Sequence, residues 1–169
     1  ASITAYCDAH PFDCLINTAA WTAVDAAEDR VADCFLANAQ GPAWLAEAAH
    51  RSGAAIIHVS TDYVFDGTLD RPYREQDATA PISVYGASKL AGECAVRAAN
   101  HRSVVLRTAW VVSPYRSNFL KTMLRLGSER SDIGVVDDQL GCPTSAADIA
   151  EALRAIALAQ LADAQSPSG

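Results

Sequence analysis

The sequence predicts an α/β protein built on a doubly wound parallel sheet, and three observations carry that expectation. Short apolar runs rich in β-branched residues alternate with alanine-rich helical patterns along the whole chain, which is the signature of strand-helix-strand units. Polar clusters close three of those runs, at Asn17, at Ser60 and Thr61, and at Thr108, Ala109 and Trp110. In open parallel sheets ligands bind outside the carboxyl ends of the strands, so three such clusters imply one shared crevice. No repeat or linker interrupts the alternation, and residues 1–169 therefore read as a single domain, half hydrophobic and long enough for a substantial core.

In chain order, the apolar run at 12–17 is the first expected strand and the alanine-rich stretch 29–51 a long helix. A second strand, over 54–60, leads to a helix over 83–100. A third strand at 103–108 follows, then a helix near 117–126, a short fourth strand at 133–136 and a last helix over 146–162. Asp25 and Glu28 are expected to cap the long helix, because carboxylates near a helix N-terminus favour its dipole. Gly86 and Gly92 are expected to be small for close packing. Residues 66–81 form a polar loop with two prolines, long enough to be functional, and the turn-like tail 165–169 is expected to fray.

An absence is equally informative. A dinucleotide-binding sheet normally opens with a strand, a glycine-rich turn and a helix whose N-terminus receives a pyrophosphate. No such fingerprint is present; Gly127, Gly134 and Gly141 are evenly spaced but fall in different elements. The chain starts at Ala1 in what reads as the end of a helix. The expectation is a Rossmann-type sheet incomplete at its N-terminus, lacking its first strand-helix-strand unit. Losing the middle of the sheet in this way would leave strand 12–17 without a neighbour.

Charge and composition narrow the partners. The net charge of -7 argues against nucleic acid, since phosphate binding relies on clustered Lys and Arg. No apolar run approaches the roughly 18 residues of a membrane span, and no basic-then-apolar leader opens the chain; the protein reads as soluble and cytoplasmic. The cysteines Cys7, Cys14, Cys34, Cys94 and Cys142 make an odd number without a CxxC pair. The first four lie in or beside apolar segments and are expected to be buried and reduced, whereas Cys142 stands before Pro143 in a loop. Of the histidines, His58 is expected on a strand as a satisfied core residue.

The chemistry concentrates at Tyr85-Gly86-Ala87-Ser88-Lys89. Positions i and i+4 share a helix face, so Lys89 can stand beside the Tyr85 phenol. A free phenol titrates at about 10, and a general acid works best with a pKa near the operating pH, so a cation that favours phenolate is useful. Moving the phenol about three units corresponds to roughly 4 kcal/mol. The competing reading is that a tyrosine and a lysine on one helix face are solvated surface.

Five motifs in order carry a resemblance. They are 17–25 (Asn-Thr-Ala-Ala-Trp-Thr-Ala-Val-Asp), 60–67 (Ser-Thr-Asp-Tyr-Val-Phe-Asp-Gly), 84–93 (Val-Tyr-Gly-Ala-Ser-Lys-Leu-Ala-Gly-Glu), 107–111 (Arg-Thr-Ala-Trp-Val) and 138–144 (Asp-Gln-Leu-Gly-Cys-Pro-Thr). Together the chain resembles the dTDP-4-dehydrorhamnose reductases of the extended short-chain dehydrogenase/reductase superfamily, from about Asp13 to Leu153. The resemblance implies hydride transfer from NADPH or NADH to C4 of dTDP-4-dehydro-L-rhamnose, giving dTDP-L-rhamnose. It implies Tyr85 as the proton donor to the C4 oxygen, Lys89 on the nicotinamide ribose and tuning the phenol, and Thr61 hydrogen-bonded to the same oxygen. Asp62 and Trp110 would touch the sugar; Ala20, Trp21, Thr22 and Val59 would line the cofactor. The substrate-binding region would begin at about residue 137, and a homodimer is compatible with the family. Some members hold a magnesium ion through glutamates, but Ala147 stands at one such position, so no metal is expected.

Ordinary structural roles stand beside these. Thr61 could be a strand-end or capping residue, Trp110 plain core, and Asp62 a turn former that bonds its own backbone. Two other functions compete. Related dehydratases carry Asp-Glu after the threonine where this chain has Asp62-Tyr63, and epimerases usually lack Asp62, so reduction leads. A non-catalytic regulator like the beta subunit of methionine adenosyltransferase shares the fold, but Thr61, Tyr85 and Lys89 together favour catalysis. The 169-residue chain alone is expected to be poorly folded or inactive and to bind dTDP weakly.

Overall fold

The computed structural model describes residues 3–162. Its central element is a parallel three-stranded sheet in the order β1 (Cys14–Asn17), β2 (Ala55–Thr61), β3 (Ser103–Thr108). Cys14 lies opposite Ala55 and Asn17 opposite His58, while Ile56 pairs with Ser103 and Thr61 with Thr108. All three strands thus end at the same edge. The first strand is not left without a neighbour, contrary to expectation, because β2 pairs along its whole length. Consecutive strands of this sheet lie side by side, so the pairing needs nothing from the other edge of β1.

A short helix α1 (Ile3–Ala9) precedes β1, in keeping with the helical reading of the start. The long helix expected after β1 is divided into α2 (Val24–Asp29), α3 (Val31–Phe35), a π-helical turn (Leu36–Gln40) and α4 (Gly41–Arg51). Arg30 breaks the first junction with a non-helical φ of -124°. Next come α5 (Val84–Ala99) and α6 (Phe119–Glu129), and α7 (Ala146–Ala162) closes the described chain. The fourth strand expected at 133–136 is absent: Val135 and Val136 are exposed and the segment is irregular. Among the described residues it pairs with no strand; a second pairing forms instead between the two-residue strands β4 (Val111–Val112) and β5 (Thr144–Ser145).

β2 is buried along nearly its whole length, as a strand covered on both faces must be. On one side Ile56 packs with Ala46 and Ala49 of α4 and Val96 of α5, joined by Phe12 and Leu15. α7 lies against β1 and β2. Gly92 explains how α5 comes so close, since a Cβ there would overlap the Asn38 carbonyl oxygen of the π turn. Cys7 and Cys34 are buried as expected, but Cys94 is exposed. It follows buried Glu93 by one position on α5, which turns it about 100° onto the outer face. All five cysteines are free.

Candidate active site

Thr61 ends β2, and its Oγ1 accepts the Tyr63 N–H at 3.2 Å, capping a single 3₁₀ turn at Asp62–Val64. The same hydroxyl donates to Asp62 Oδ1 at 3.1 Å. Thr61 is therefore a capping residue and, at once, a hydroxyl held at the strand end. Helix α5 begins just beyond, with Ser83 Oγ accepting the Gly86 N–H at 3.1 Å. The first helical N–H, that of Val84, donates to Glu28 Oε1 at 2.8 Å. Glu28 sits in the last turns of α2 rather than at its start, so its carboxylate serves the N-terminus of α5 instead of its own helix; Asp25 does lie in the first turn of α2. A Cβ on Gly86 would overlap the Tyr63 carbonyl oxygen. Its absence lets the first turn of α5 press onto the 3₁₀ turn, where Tyr85 meets Tyr63 edge-on with ring centroids 5.4 Å apart.

Lys89, one turn further along, is 2% exposed. Its Nζ donates to the Val59 carbonyl at 2.8 Å and lies 3.5 Å from His58 Nε2. Burial lowers its pKa to about 8, against the opposing pull of Glu93 and Cys34. The Tyr85 phenol moves the other way. Burial raises it above its ordinary value, a hydrogen bond with Thr61 opposes that, and Asp62 adds to the rise. The expected lowering of the phenol by Lys89 is therefore not what this arrangement does. A lysine whose own charge is disfavoured by burial, and whose ammonium is directed at Val59, stabilises phenolate too little to offset desolvation.

A cavity of about 320 Å³ opens at the carboxyl end of the sheet. Thr61, Asp62, Tyr85, Lys89 and Trp110 line it, with Ala20, Thr22 and Val59. Trp21 does not: its indole Nε1 donates to the Ala23 carbonyl at 2.9 Å, and Arg30 lies over the ring. Trp110 is 41% exposed rather than core. Its φ of 44° lies in the left-handed region, a conformation that costs a non-glycine residue roughly 1–3 kcal/mol and recurs at ligand sites. Gly141 lies against the indole, where a Cβ would overlap the ring, and the Trp110 carbonyl accepts the Thr144 N–H at 3.1 Å. Residue 141, in the expected substrate region, thus sets the seat of a side chain from the end of β3.

Two supporting groups escaped the sequence reading, and a third, His58, has a neighbour the reading did not foresee. Asn38, in the π turn, binds both backbone groups of Trp21, its Oδ1 accepting at 2.8 Å and its Nδ2 donating at 3.1 Å. The same Nδ2 donates to Ser88 Oγ at 3.0 Å, tying the cavity wall to α5. π turns in helices are frequent at functional sites, but this one has no sequence marker. Glu93 is held by Arg107 of β3 through two hydrogen bonds, of 3.0 and 2.6 Å. His58 is a satisfied core residue as expected and also a neighbour of Lys89. The alternation of β2 was the available signal, since it places His58 and Ser60 on the face that meets α5. Among the described residues no group of three His, Cys, Asp or Glu is arranged to hold a metal ion, and no helix is long and apolar enough to cross a membrane.

The family model described as the RmlD substrate binding domain matches residues 1–169. A dTDP-4-dehydrorhamnose reductase of Sinorhizobium fredii is 52% identical over 159 residues, covering 94% of this chain and 53% of that protein. A solved dTDP-4-dehydrorhamnose reductase from Clostridium acetobutylicum matches with a TM-score of 0.89 at 39% identity, over 98% of this chain and 57% of that one. One from Bacillus anthracis, in complex with NADP, matches with a TM-score of 0.89 at 39% identity, over 92% and 55%. The chain spans about half the length of the curated relatives it matches. The motifs read from the sequence, the parallel sheet with its cavity and these likenesses agree: the chain belongs to the RmlD substrate binding domain family.

Proposed function

We propose that the protein reduces the C4 keto group of dTDP-4-dehydro-L-rhamnose to dTDP-L-rhamnose with NADPH or NADH. The observation that carries this reading is the convergence of Thr61, Tyr85, Lys89 and Trp110, from the ends of β2 and β3 and from α5, on one cavity. The relatives named as dTDP-4-dehydrorhamnose reductases, one of them solved with NADP, support the substrate and the cofactor.

The residues present suit a nicotinamide nucleotide. Ala20 and Thr22 leave room on the wall that Lys89 shares, and an ammonium has two donors beyond the one given to Val59. Ser60 Oγ and Thr108 Oγ1, both on cavity-lining residues, are buried without a hydrogen-bond partner, which is polar capacity for a hydroxyl-rich ligand. The nucleotide, when bound, supplies the hydride. Tyr85, whose phenol is protonated at neutral pH, gives its proton to the C4 oxygen; the burial that raises its pKa works against that transfer. The Thr61 hydroxyl, turning its one proton from Asp62 to the same oxygen, donates to it as charge develops. Lys89 holds the ribose hydroxyls, and Trp110 offers a broad rigid face to the sugar ring. Residues 1–169 act as one domain, with the sugar-side region beginning at about 137, in a cytoplasmic enzyme that can work as a homodimer. Ala147 in place of a metal-holding glutamate favours a reaction without magnesium.

The test is oxidation of NADPH by the full-length gene product with dTDP-4-dehydro-L-rhamnose, beside Tyr85→Phe. We expect turnover that falls by about 10³-fold in the variant, within the range for losing a general acid. Binding of NADPH without its oxidation would move the protein to a regulatory role.

A further inference from the structure

Beneath the cavity runs a buried polar chain that this chemistry does not use. Asn17 and His58 stand opposite each other on β1 and β2, 4% and 0% exposed. The Ala19 N–H donates to Asn17 Oδ1 at 3.1 Å, which fixes the orientation of the amide. Asn17 Nδ2 therefore faces His58 Nδ1, at 3.0 Å. An amide nitrogen only donates, so Nδ1 must carry the lone pair and the single proton of a neutral ring sits on Nε2. That N–H points to Lys89 Nζ, 3.5 Å away. An ammonium offers only donors, so it would meet Nε2–H donor to donor. A neutral amine has a lone pair and accepts from it.

We infer that Asn17 and His58 act together as positioning residues, holding the imidazole in the Nε2–H tautomer that favours the neutral amine of Lys89 and so sets the pH at which Lys89 gives up its proton. The inference rests on the reductase reading only for the use to which Lys89 is put. Burial holds His58 neutral, with a pKa lowered to about 3, so the ring has one proton to place. The other titratable groups around Lys89 pull the opposite way or lie on its own helix. Cys34 of α3 and Glu93 of α5 favour the ammonium, Glu93 being shared with Arg107 of β3, and Tyr85 precedes Lys89 by one turn of α5. Among these neighbours His58 of β2 is the one whose fixed donor opposes the charge.

The test uses the full-length gene product with ¹⁵N-histidine and ¹³Cε-lysine NMR. Asn17→Asp keeps the shape and the bond from Ala19 but replaces the donor by an acceptor, so the ring proton should move to Nδ1 and Nε2 should accept from the ammonium. We expect Nε2–H in the wild type, Nδ1–H in the variant, and Lys89 titrating roughly one pH unit higher, with the alkaline limb of kcat moving alike. Asn17→Ala, which removes the donor without adding charge, should shift Lys89 in the same direction. A shift in the Asp variant alone would mark simple charge attraction and overturn the inference. So would an Nδ1–H ring in the wild type, or a tautomer change that leaves Lys89 unmoved. If neither variant folds, wild-type Lys89 titrating at or above its ordinary 10.5 overturns it. Absence of reductase turnover sinks the catalytic reading while the NMR results still decide this one.

Discussion

Helix α6 is the more strongly amphipathic of the two helices α5 and α6, yet α5 is the one the fold buries. In α5, Gly86, Ser88, Lys89, Gly92, Glu93 and Val96 are buried, and its neighbours reach it from α2, the π turn, β2 and β3. In α6 no residue is buried, and Phe119, Leu120 and Leu124 lie open. Only α5 has two glycines that let foreign backbone approach, and only its polar groups, backbone and side chain together, find partners on those four elements. A strong amphipathic pattern says that a face wants cover; close approach and satisfied polar groups decide whether the chain itself supplies it. The groups proposed for proton transfer stand on the well-anchored helix, as positioning within a fraction of an ångström requires.

The largest effect expected on this contrast is at acid pH. His58 is lowered from 6.5 to about 3 in the fold, so on acidification the unfolded chain takes the proton first. Its stabilisation is intact above about 6.5 and is lost as the pH falls toward about 3, at up to about 1.4 kcal/mol per pH unit. Urea unfolding from pH 7 to pH 4 should therefore lose this slope in His58→Gln; an unchanged slope would place the acid sensitivity elsewhere. Gly92→Ala comes next. Its methyl would meet the Asn38 carbonyl, and since backbone must move, a loss of about 2–3 kcal/mol is expected. A neutral result by thermal melting would mean that α5 is less tightly seated than the geometry requires. Glu28→Ala removes the cap on Val84 and should cost about 1 kcal/mol. Smallest is Leu124→Ser on α6, 68% exposed, expected within about 0.5 kcal/mol. A loss of several would show that a further part of the full-length protein covers that face and would break the comparison.

The sheet and the helix of the reacting pair were readable because their signals are local. The run at 103–108 and the helix at 146–162 match β3 and α7, and Ser83 marks the start of α5. The failures have tertiary causes. Residues 133–136 are β-branched enough for a strand, but a strand also needs a partner, and among the described residues none pairs with them. The break at Arg30 and the π turn at Leu36–Gln40 lie within an unbroken alanine-rich pattern. They appear where Asn38 must reach both Trp21 and Ser88. At the site, Thr61, Tyr85 and Lys89 were legible by type and spacing, whereas the turn of Trp21 toward Ala23 and Arg30 was not, because residue type and spacing do not say which way a loop side chain faces.

The amino-acid order alone specified an acidic α/β chain, the direction of its strands, the cap of α5, and the placing of a tyrosine and a lysine on one helix face. These depend on period, propensity and neighbours within one turn. What only the folded molecule decided is the electrostatics: that the phenol is raised, that Lys89 is lowered, and that His58 stays neutral with its proton directed at Lys89. Burial and hydrogen-bond direction set those values, and both arise from contacts between β1, β2 and α5, elements separated by dozens of residues in the chain.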